Sequence, residues 1–388
     1  MDFDVIVVGG GLVGTSLALA LKGAGLNLAV VEARPAAPAA DPASWDSRVY
    51  AISPGSAAFL DACGAWRGID EARMCQVEDM HVCGDDLSSA IDFSAYKAGL
   101  RELAFVVENR ELQRVLWDEV ARAPHIEFIV PAVCRELTFD ADAAQLVLGD
   151  GRTLRARLVV AADGADSWVR SQAAVDVATR DYRQTAVVAN FAISRPHHGV
   201  ASQWFRRDGV LALLPLPGAR VSMVWSTGDE HAAELLALTA GELSAEVALA
   251  AHGACGDLQV ITPAAAFALR MQRVRRLVLP RLALIGDAAH NVHPLAGQGV
   301  NLGFRDAREL AQVVVQRGPQ ADCGDIHLLR RYERARQEDI ATMRLATDTL
   351  QRLFNNNDER LGKLRNMGLR LANRQPLLKN LLVRHAVG

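Results

Sequence analysis

The chain has 388 residues, half of them apolar and 22% charged, which is enough for two packed domains and excludes a disordered protein. Its 42 basic and 45 acidic side chains give a formal net charge of -3, a balance with no general attraction to nucleic acid. No stretch approaches the roughly 18 consecutive apolar residues of a membrane span.

The start, Met1-Asp2-Phe3-Asp4, runs directly into a strand-like segment without the pattern of an export signal. The six cysteines are scattered without a C-x-x-C pair, which argues against zinc and a redox dithiol. The expectation is a cytoplasmic protein with reduced thiols and no metal site.

Phe3 to Val8 reads as a buried parallel strand, Leu12 to Gly25 as a helix built on Ala and Leu, and Leu26 to Glu32 as a second strand. A Pro/Ala loop spans Pro35 to Pro42, and helices are predicted near Ser53–Cys63 and Asn109–Ala123. Residues 132–164 read as antiparallel strands ending in Leu158–Ala162. Strand-like runs at Ala186–Ile193 and Val210–Trp225 and a helix from His231 to about Ala251 mark a separate, mainly antiparallel layer over 178–278. Leu282–Ile285 returns to the first domain, and the remainder is helical.

Three segments carry chemistry. Gly9-x-Gly11-x-x-Gly14 sits between a strand and a helix, with Glu32 ending the next strand, 18 residues beyond Gly14. Such glycines give a tight turn, close approach of a pyrophosphate and tight helix–strand packing, while the acid suits a ribose. This context points to dinucleotide binding and does not separate FAD from NAD. The second segment is Asp163-Gly164-Ala165-Asp166-Ser167-x-Val169-Arg170, which in isolation is an ordinary turn at a strand end.

The third runs from Gly286-Asp287-Ala288-Ala289-His290 through His293-Pro294-Leu295-Ala296-Gly297-Gln298-Gly299 to Val300-Asn301-Leu302-Gly303. Asp287 can accept hydrogen bonds from a ribityl chain, and the glycines let backbone approach a flat ligand. A helix starting near Gly299 aims its positive end at the anionic edge of a reduced flavin.

These segments, in this order, resemble the class A flavoprotein monooxygenases of the para-hydroxybenzoate hydroxylase fold. The run His293 to Ala307, with Asp46-x-Arg48-Val49-x-Ala51-Ile52-Ser53 and Glu108-Asn109-Arg110-x-Leu112, is similar to the ubiquinone-biosynthesis hydroxylases (the UbiH/UbiF/VisC group). The resemblance extends from residue 4 to about 350. It implies an α/β fold, a Rossmann-like FAD-binding domain (1–177 and 279–350) with an inserted mainly antiparallel β-sheet substrate domain (178–278); the residues beyond it, 351–388, read by themselves as a C-terminal basic helical tail.

It also implies roles. Gly9, Gly11, Gly14 and Glu32 would hold the ADP half of FAD, with Arg48 and Arg110 near the flavin and pyrophosphate. Asp163 and Gly164 belong to a motif linked to both FAD and NAD(P)H. Asp287 would bind the ribityl chain, and Pro294, Gly297, Gln298, Gly299 and Asn301 would line the isoalloxazine. From the sequence alone, Arg48 and Arg110 could equally be surface arginines.

The implied reaction is hydroxylation of a lipid-soluble polyprenylated phenol in ubiquinone biosynthesis through a flavin hydroperoxide, with NAD(P)H as transient co-substrate and O2 as oxidant. No catalytic side chain is assigned, because the flavin carries the chemistry. Hydroxylation of a small soluble aromatic such as a hydroxybenzoate is the alternative. The absence of a Trp-x-Trp-x-Ile-Pro segment disfavours a halogenase, and an idle FAD-binding scaffold is the reading of another class.

His290 and His293 are read as bracing their loop, and His197-His198 as turn residues. Trp117, Trp204 and Trp225 are read as packing residues, with Trp204 or Trp225 a candidate to face the substrate. From Asp358 to Gly388 seven Lys/Arg stand against two acids, with Leu361, Leu364, Met367 and Leu371 at helical spacing. This tail suits either an anionic membrane surface or docking on the flavin domain. The resemblance implies peripheral association with the inner membrane and with other ubiquinone-biosynthesis proteins.

Overall fold

A computed structural model describes residues 1–35, 41, 43–84, 89–291, 299–318 and 321–354. Val and Ile dominate β1 (Phe3–Val8), which is buried along its C-terminal two thirds. The glycine run stops it, and α1 (Leu12–Leu21) leads to β2 (Leu28–Val31). The helix ends at Leu21, short of the expected Gly25, in tight turns in which the Lys22 N–H donates to the Leu19 carbonyl and the Ala24 N–H to that of Leu21.

Next come β3 (Val49–Ile52), α2 (Pro54–Ala62), β4 (Met74–Val77), β5 (Asp79–Cys83), β6 (Ala90–Ser94), the single turn α3 (Ala95–Ala98) and β7 (Ala104–Glu108). α2 begins where the Ser53 hydroxyl accepts the Ser56 N–H, with Pro54 in its first turn. In α4 (Asn109–Arg122), Leu112, Val115, Leu116 and Val120 recur at helical spacing and are buried. Then follow β8 (Ile126–Ile129), β9 (Cys134–Phe139), β10 (Ala144–Leu148), β11 (Thr153–Ala161) and α5 (Trp168–Gln172).

The middle of the chain forms β12 (Val177–Ile193), β13 (Val200–Arg206), β14 (Gly209–Leu216), β15 (Arg220–Gly228), α6 (Asp229–Ala237), α7 (Ala240–Ala250), β16 (Leu258–Val260) and β17 (Ala265–Val274). The helix expected over 231–251 is therefore two. Thr239 accepts the Glu242 N–H and Glu242 answers to the Thr239 N–H, a reciprocal cap that starts a new helix. β18 (Val278–Leu279), β19 (Leu282–Leu284), β20 (His290–Asn291), α8 (Gly299–Val315) and α9 (Ile326–Phe354) complete the chain.

The first sheet has the order β18-β19-β11-β1-β2-β8, parallel from β19 to β8, with the β9–β10 hairpin added to β11. A second, mainly antiparallel sheet has the order β20-β17-β12-β15-β14-β13-β5-β6, with β16 on β12. β3, β7 and β4 form a small third sheet. The second sheet is wider than the expected 178–278 layer: β5 and β6 extend it, Asp79 pairing with Val200 in parallel register.

One core lies around the parallel sheet and its helices. Another lies between the second sheet and α6–α7, with Val187, Leu211, Met223 and Trp225 facing Leu235, Leu243 and Val247. Strand alternation then turns Val188, Ala212, Val224 and Phe267 to the opposite face, where Phe267 meets Arg48 and Asn190 donates to the Asp46 carbonyl.

Candidate functional site

The glycine turn after β1 is forced by its neighbours. Gly9 holds φ +112°, and a Cβ there would lie 2.3 Å from the Ala162 carbonyl oxygen; one on Gly14 would lie 2.0 Å from that of Gly9. A Cβ on Gly11 would meet nothing within 4 Å, so the start of α1 faces open space. Gly11 caps that helix without a side-chain bond, and first-turn N–H groups have no intrahelical partner. Such a terminus suits a pyrophosphate.

Glu32 stands beside the turn. Its Oε2 accepts the Gly10 N–H at 2.7 Å and its Oε1 accepts the Arg34 N–H at 2.9 Å. The Gly10 carbonyl accepts from Gln113 Nε2 at 2.8 Å and from Trp117 Nε1 at 2.7 Å. Trp117 is thus more than packing. The signal for it is local: residues 113 and 117 share one face of α4, and a buried indole N–H needs an acceptor.

Asp46 joins the two candidate arginines. One carboxylate oxygen accepts the Arg48 N–H at 2.9 Å, the other the Arg110 N–H at 3.1 Å. The Arg110 guanidinium donates to Ser44 Oγ at 2.8 Å and pairs with buried Glu108 at 3.2 Å. Arg48 is differently placed, its guanidinium 5.3 Å from the ring centre of Tyr50 and 5.8 Å from that of Phe267 on the second sheet. Burial pushes the Tyr50 phenol up to about 12 despite Arg48, so it stays protonated. Asp46 opens the Asp46-x-Arg48 segment that carries the family resemblance, with no role of its own implied there, and its spacing is that of a side-chain turn; nothing in the sequence marks Tyr50.

Asp163 caps α5. It accepts the Ser167 hydroxyl at 2.6 Å and the Val169 N–H at 3.0 Å, and Gly164 takes φ +88°. From the same motif, buried Arg170 donates to the Ala288 carbonyl at 3.0 Å, tying the second segment to the third.

Asp287 lies in a short turn, Gly286–Ala288, at the end of β19. Its side chain is exposed to solvent, yet the protein crowded around it desolvates the carboxyl. That desolvation raises the carboxyl above its usual range, offset in part by His290 and Arg48. Among the described residues its carboxylate accepts no hydrogen bond. His290 is buried with Nε2 2.6 Å from Asp306, which fits the bracing role.

Gly299 opens α8, and a Cβ on Gly303 would lie 2.6 Å from Val13 Cγ2, which brings the third segment against the first. The Asn301 amide is engaged with β3: Oδ1 accepts the Ser53 N–H at 2.9 Å and Nδ2 donates to the Ala51 carbonyl at 2.8 Å. Asn301 therefore seats the start of α8 on β3. His293, Pro294, Gly297 and Gln298, and the tail from Asp358, lie outside the described residues.

Two tryptophan positions differ from a substrate-facing role. Trp204 and Trp225 both lie in the core beneath α6–α7, on the outer face of the second sheet. Its inner face instead offers Val210, Ala212, Leu214, Val224 and Ala265, each partly exposed, with Phe267 exposed beside Arg48. His197 braces the turn after β14, its ring within 3.0 Å of the Leu216 and Gly218 carbonyls and of the Gly199 N–H. Among the described residues, no three His, Cys, Asp or Glu side chains could hold a metal ion, and no helix is long and apolar enough to cross a membrane.

Residues 2–344 match the family model of the FAD binding domain. The ubiquinone hydroxylase UbiL of Rhodospirillum rubrum is 36% identical over 99% of this chain and 89% of its own length. The 3-demethoxyubiquinol 3-hydroxylase of Escherichia coli is 33% identical over 99% of this chain and 98% of its own. Human ubiquinone biosynthesis monooxygenase COQ6 is 32% identical over 99% and 92%. In fold, the chain is similar to PqsL of Pseudomonas aeruginosa (TM-score 0.80, 24% identity, 95% of this chain and 99% of that one). It is also similar in fold to p-nitrophenol 4-monooxygenase PnpA of Pseudomonas putida (TM-score 0.78, 19% identity, 99% and 98%). With its three glycine-bearing turns converged on one cleft, the chain belongs to the FAD-binding-domain family of flavoprotein monooxygenases, in the group of the ubiquinone-biosynthesis hydroxylases.

Proposed function

We propose that this protein hydroxylates the aromatic ring of a polyprenylated phenol in ubiquinone biosynthesis, with FAD as cofactor and NAD(P)H and O2 as co-substrates. The observation that carries the reading is the shape of the cleft. The open start of α1, the Glu32 carboxylate and Asp287, whose carboxylate accepts no hydrogen bond among the described residues, would line one side, with an apolar sheet face across from them.

These groups fit FAD. The space before Gly11 suits the pyrophosphate, Glu32 the adenosine ribose and Asp287 the ribityl chain, with Gly9 and Gly14 permitting the approach. Gly299, with Pro294, Gly297 and Gln298 before it, would present the positive end of α8 to the isoalloxazine, and Asn301 would hold that end in place. Arg48 and Arg110 would face the flavin and pyrophosphate, and Asp163 and Gly164 the passage used by NAD(P)H. When bound, FAD accepts a hydride from NAD(P)H and passes one oxygen atom of O2 to an electron-rich ring.

The chain supplies the setting for that step. The Val210–Ala212–Leu214 and Val224 surface would pack the ring and the start of its prenyl chain and exclude water. Phe267 and Tyr50, with Arg48 between them, would border the ring. The protonated Tyr50 hydroxyl is a donor available to the phenol. A small hydroxybenzoate would need a cation for its carboxylate, and Arg48 is already stacked between two aromatic rings. The basic tail from Asp358 is assigned to contact with the inner membrane surface, where such a substrate resides.

The test is an absorbance spectrum of the purified protein, followed by NAD(P)H oxidation with a short-chain prenylphenol. A flavin band near 450 nm (about the value for bound oxidised FAD) and a hydroxylated product are expected. Oxidation only with hydroxybenzoates would replace the substrate class, and a protein that takes up no flavin would overturn the reading. Removing residues 358–388 should lower binding to anionic vesicles while leaving FAD bound.

A further inference from the structure

The Asp287 turn is held from beneath by charges that lie far from it in the sequence. Asp306 on α8 is fully buried, and its two oxygens are divided. Oδ2 accepts the Gly286 N–H at 2.9 Å and pairs with His290 Nε2 at 2.6 Å, gripping the turn on both sides of Asp287. Oδ1 accepts Arg336 Nε at 2.7 Å from α9. Arg336 is buried too, and its Nη1 pairs with Asp339 at 2.5 Å, which also meets Arg305 at 3.4 Å.

Burial alone would raise the Asp306 carboxyl, but His290 and Arg336 outweigh it and hold it below the usual carboxylate range. The turn has little other freedom. Gly286 takes φ +58° with Val13 of α1 within 3.5 Å of where a Cβ would sit, and Gly303 of α8 approaches the Gly286 Cα at 3.3 Å from its own Cβ position. A shift of Asp306 would therefore move the turn against the pyrophosphate-facing helix.

We infer that Arg336 is a positioning residue for the flavin site: through Asp306 it sets the Asp287 turn, so that the C-terminal helix α9 controls FAD affinity without touching the cofactor. The inference rests on the reading of Asp287 as an FAD ligand. Two structured elements fix one carboxylate, and the carboxylate fixes the turn. Because Asp306 already serves two groups of the turn, losing the Arg336 fork leaves it free to rotate toward them and shift both.

The experiment is titration of the FAD-stripped full-length protein with FAD, read by flavin fluorescence and by the visible spectrum of the bound cofactor. Arg336→Gln, Arg336→Lys and Asp339→Asn are measured alone and combined with Asp287→Ala, with the thermal midpoint of each apo-protein alongside. Arg336→Gln should weaken FAD by about tenfold, the scale on which coupled positions away from a ligand act, and should shift the flavin band. Arg336→Lys, which keeps the charge, should recover part of both. In the Asp287→Ala background the same substitutions should have little further effect, since their route to the cofactor is gone.

If Arg336→Gln does not fold, Asp339→Asn, at a partly exposed position, decides with the same signs. Folded variants that bind FAD with native affinity and spectrum, whatever their apo-protein stability, would overturn the inference. Effects of equal size with and without Asp287 would do the same. Native FAD affinity in Asp287→Ala alone would instead remove the site reading beneath it.

Discussion

Glu32 accepts the backbone N–H of Gly10 at 2.7 Å, so the acid just after the second strand also fixes the turn that starts the first helix. Its other oxygen accepts the Arg34 N–H. A glutamine has only one acceptor oxygen and cannot satisfy both amides. Glu32→Gln should therefore weaken FAD binding by about ten- to a hundredfold, as expected for loss of a charge-assisted hydrogen bond worth roughly 1.5–3 kcal/mol. Fluorescence titration of the apo-protein checks this, and an unchanged dissociation constant would remove Glu32 from the site.

Trp117→Phe isolates one donor to the Gly10 carbonyl. Phenylalanine keeps the edge-on contact with Phe128, whose ring centre lies 4.9 Å away, and loses only the N–H. Gln113 still donates, so FAD affinity should fall about two- to fivefold, the range of one neutral hydrogen bond. Adding Gln113→Ala strips the remaining donor, and the pair should cost more than the sum of the two. Strict additivity in a double-mutant cycle would show that the two donors act independently, and native affinity in both single variants that the carbonyl has no need of either.

Asn301→Ala tests the seat of α8. The substitution leaves the Ser53 N–H and Ala51 carbonyl of a buried junction without their partner. Two such losses cost about 2–4 kcal/mol, which should appear as a lower urea midpoint with an unchanged slope. A midpoint within error of the parent protein would mean that water replaces the amide.

What the sequence discloses and what it hides divides along contact distance. β1, the glycine turn, β2 and Glu32 form one local unit, and their spacing identifies them because Gly9 and Gly14 answer close neighbours while Gly11 leaves the helix start open. α2 and α4 are equally local, set by Ser53, Pro54 and a regular apolar stripe. The placement of β5 and β6 in the second sheet is invisible in the same way that any distant pairing is: Asp79 meets Val200, and no pattern in either strand names the other. The same holds for Asp306 and Arg336, whose pairing depends on how α8 and α9 cross. Trp204 and Trp225 carry strand periodicity, but which face of a sheet receives helices is decided by α6 and α7.

Asp287→Asn joins stability to function with opposite signs. Desolvation raises the folded-state carboxyl above its unfolded value, so at neutral pH the ionised side chain counts against folding. Above both values the asparagine variant should have the higher apo-protein thermal midpoint. As pH falls through the raised folded value toward the unfolded one of about 3.9, Asp287 takes up its proton and that penalty goes. The gap between the two proteins should then close. Asp306 responds to acid with the other sign, because its folded value is lowered, but it is common to both proteins and cancels in the comparison. FAD affinity should move the other way at neutral pH, since the amide replaces a two-oxygen acceptor with one, as at sites that trade stability for binding. Thermal midpoints of the two apo-proteins at neutral pH and near pH 4, a pH chosen from the ordinary carboxylate range, measure the first effect, and FAD titration measures the second. An asparagine variant no more stable than the parent at neutral pH would show that Arg48 and His290 already neutralise the charge, and that the turn carries no strain for the cofactor to relieve.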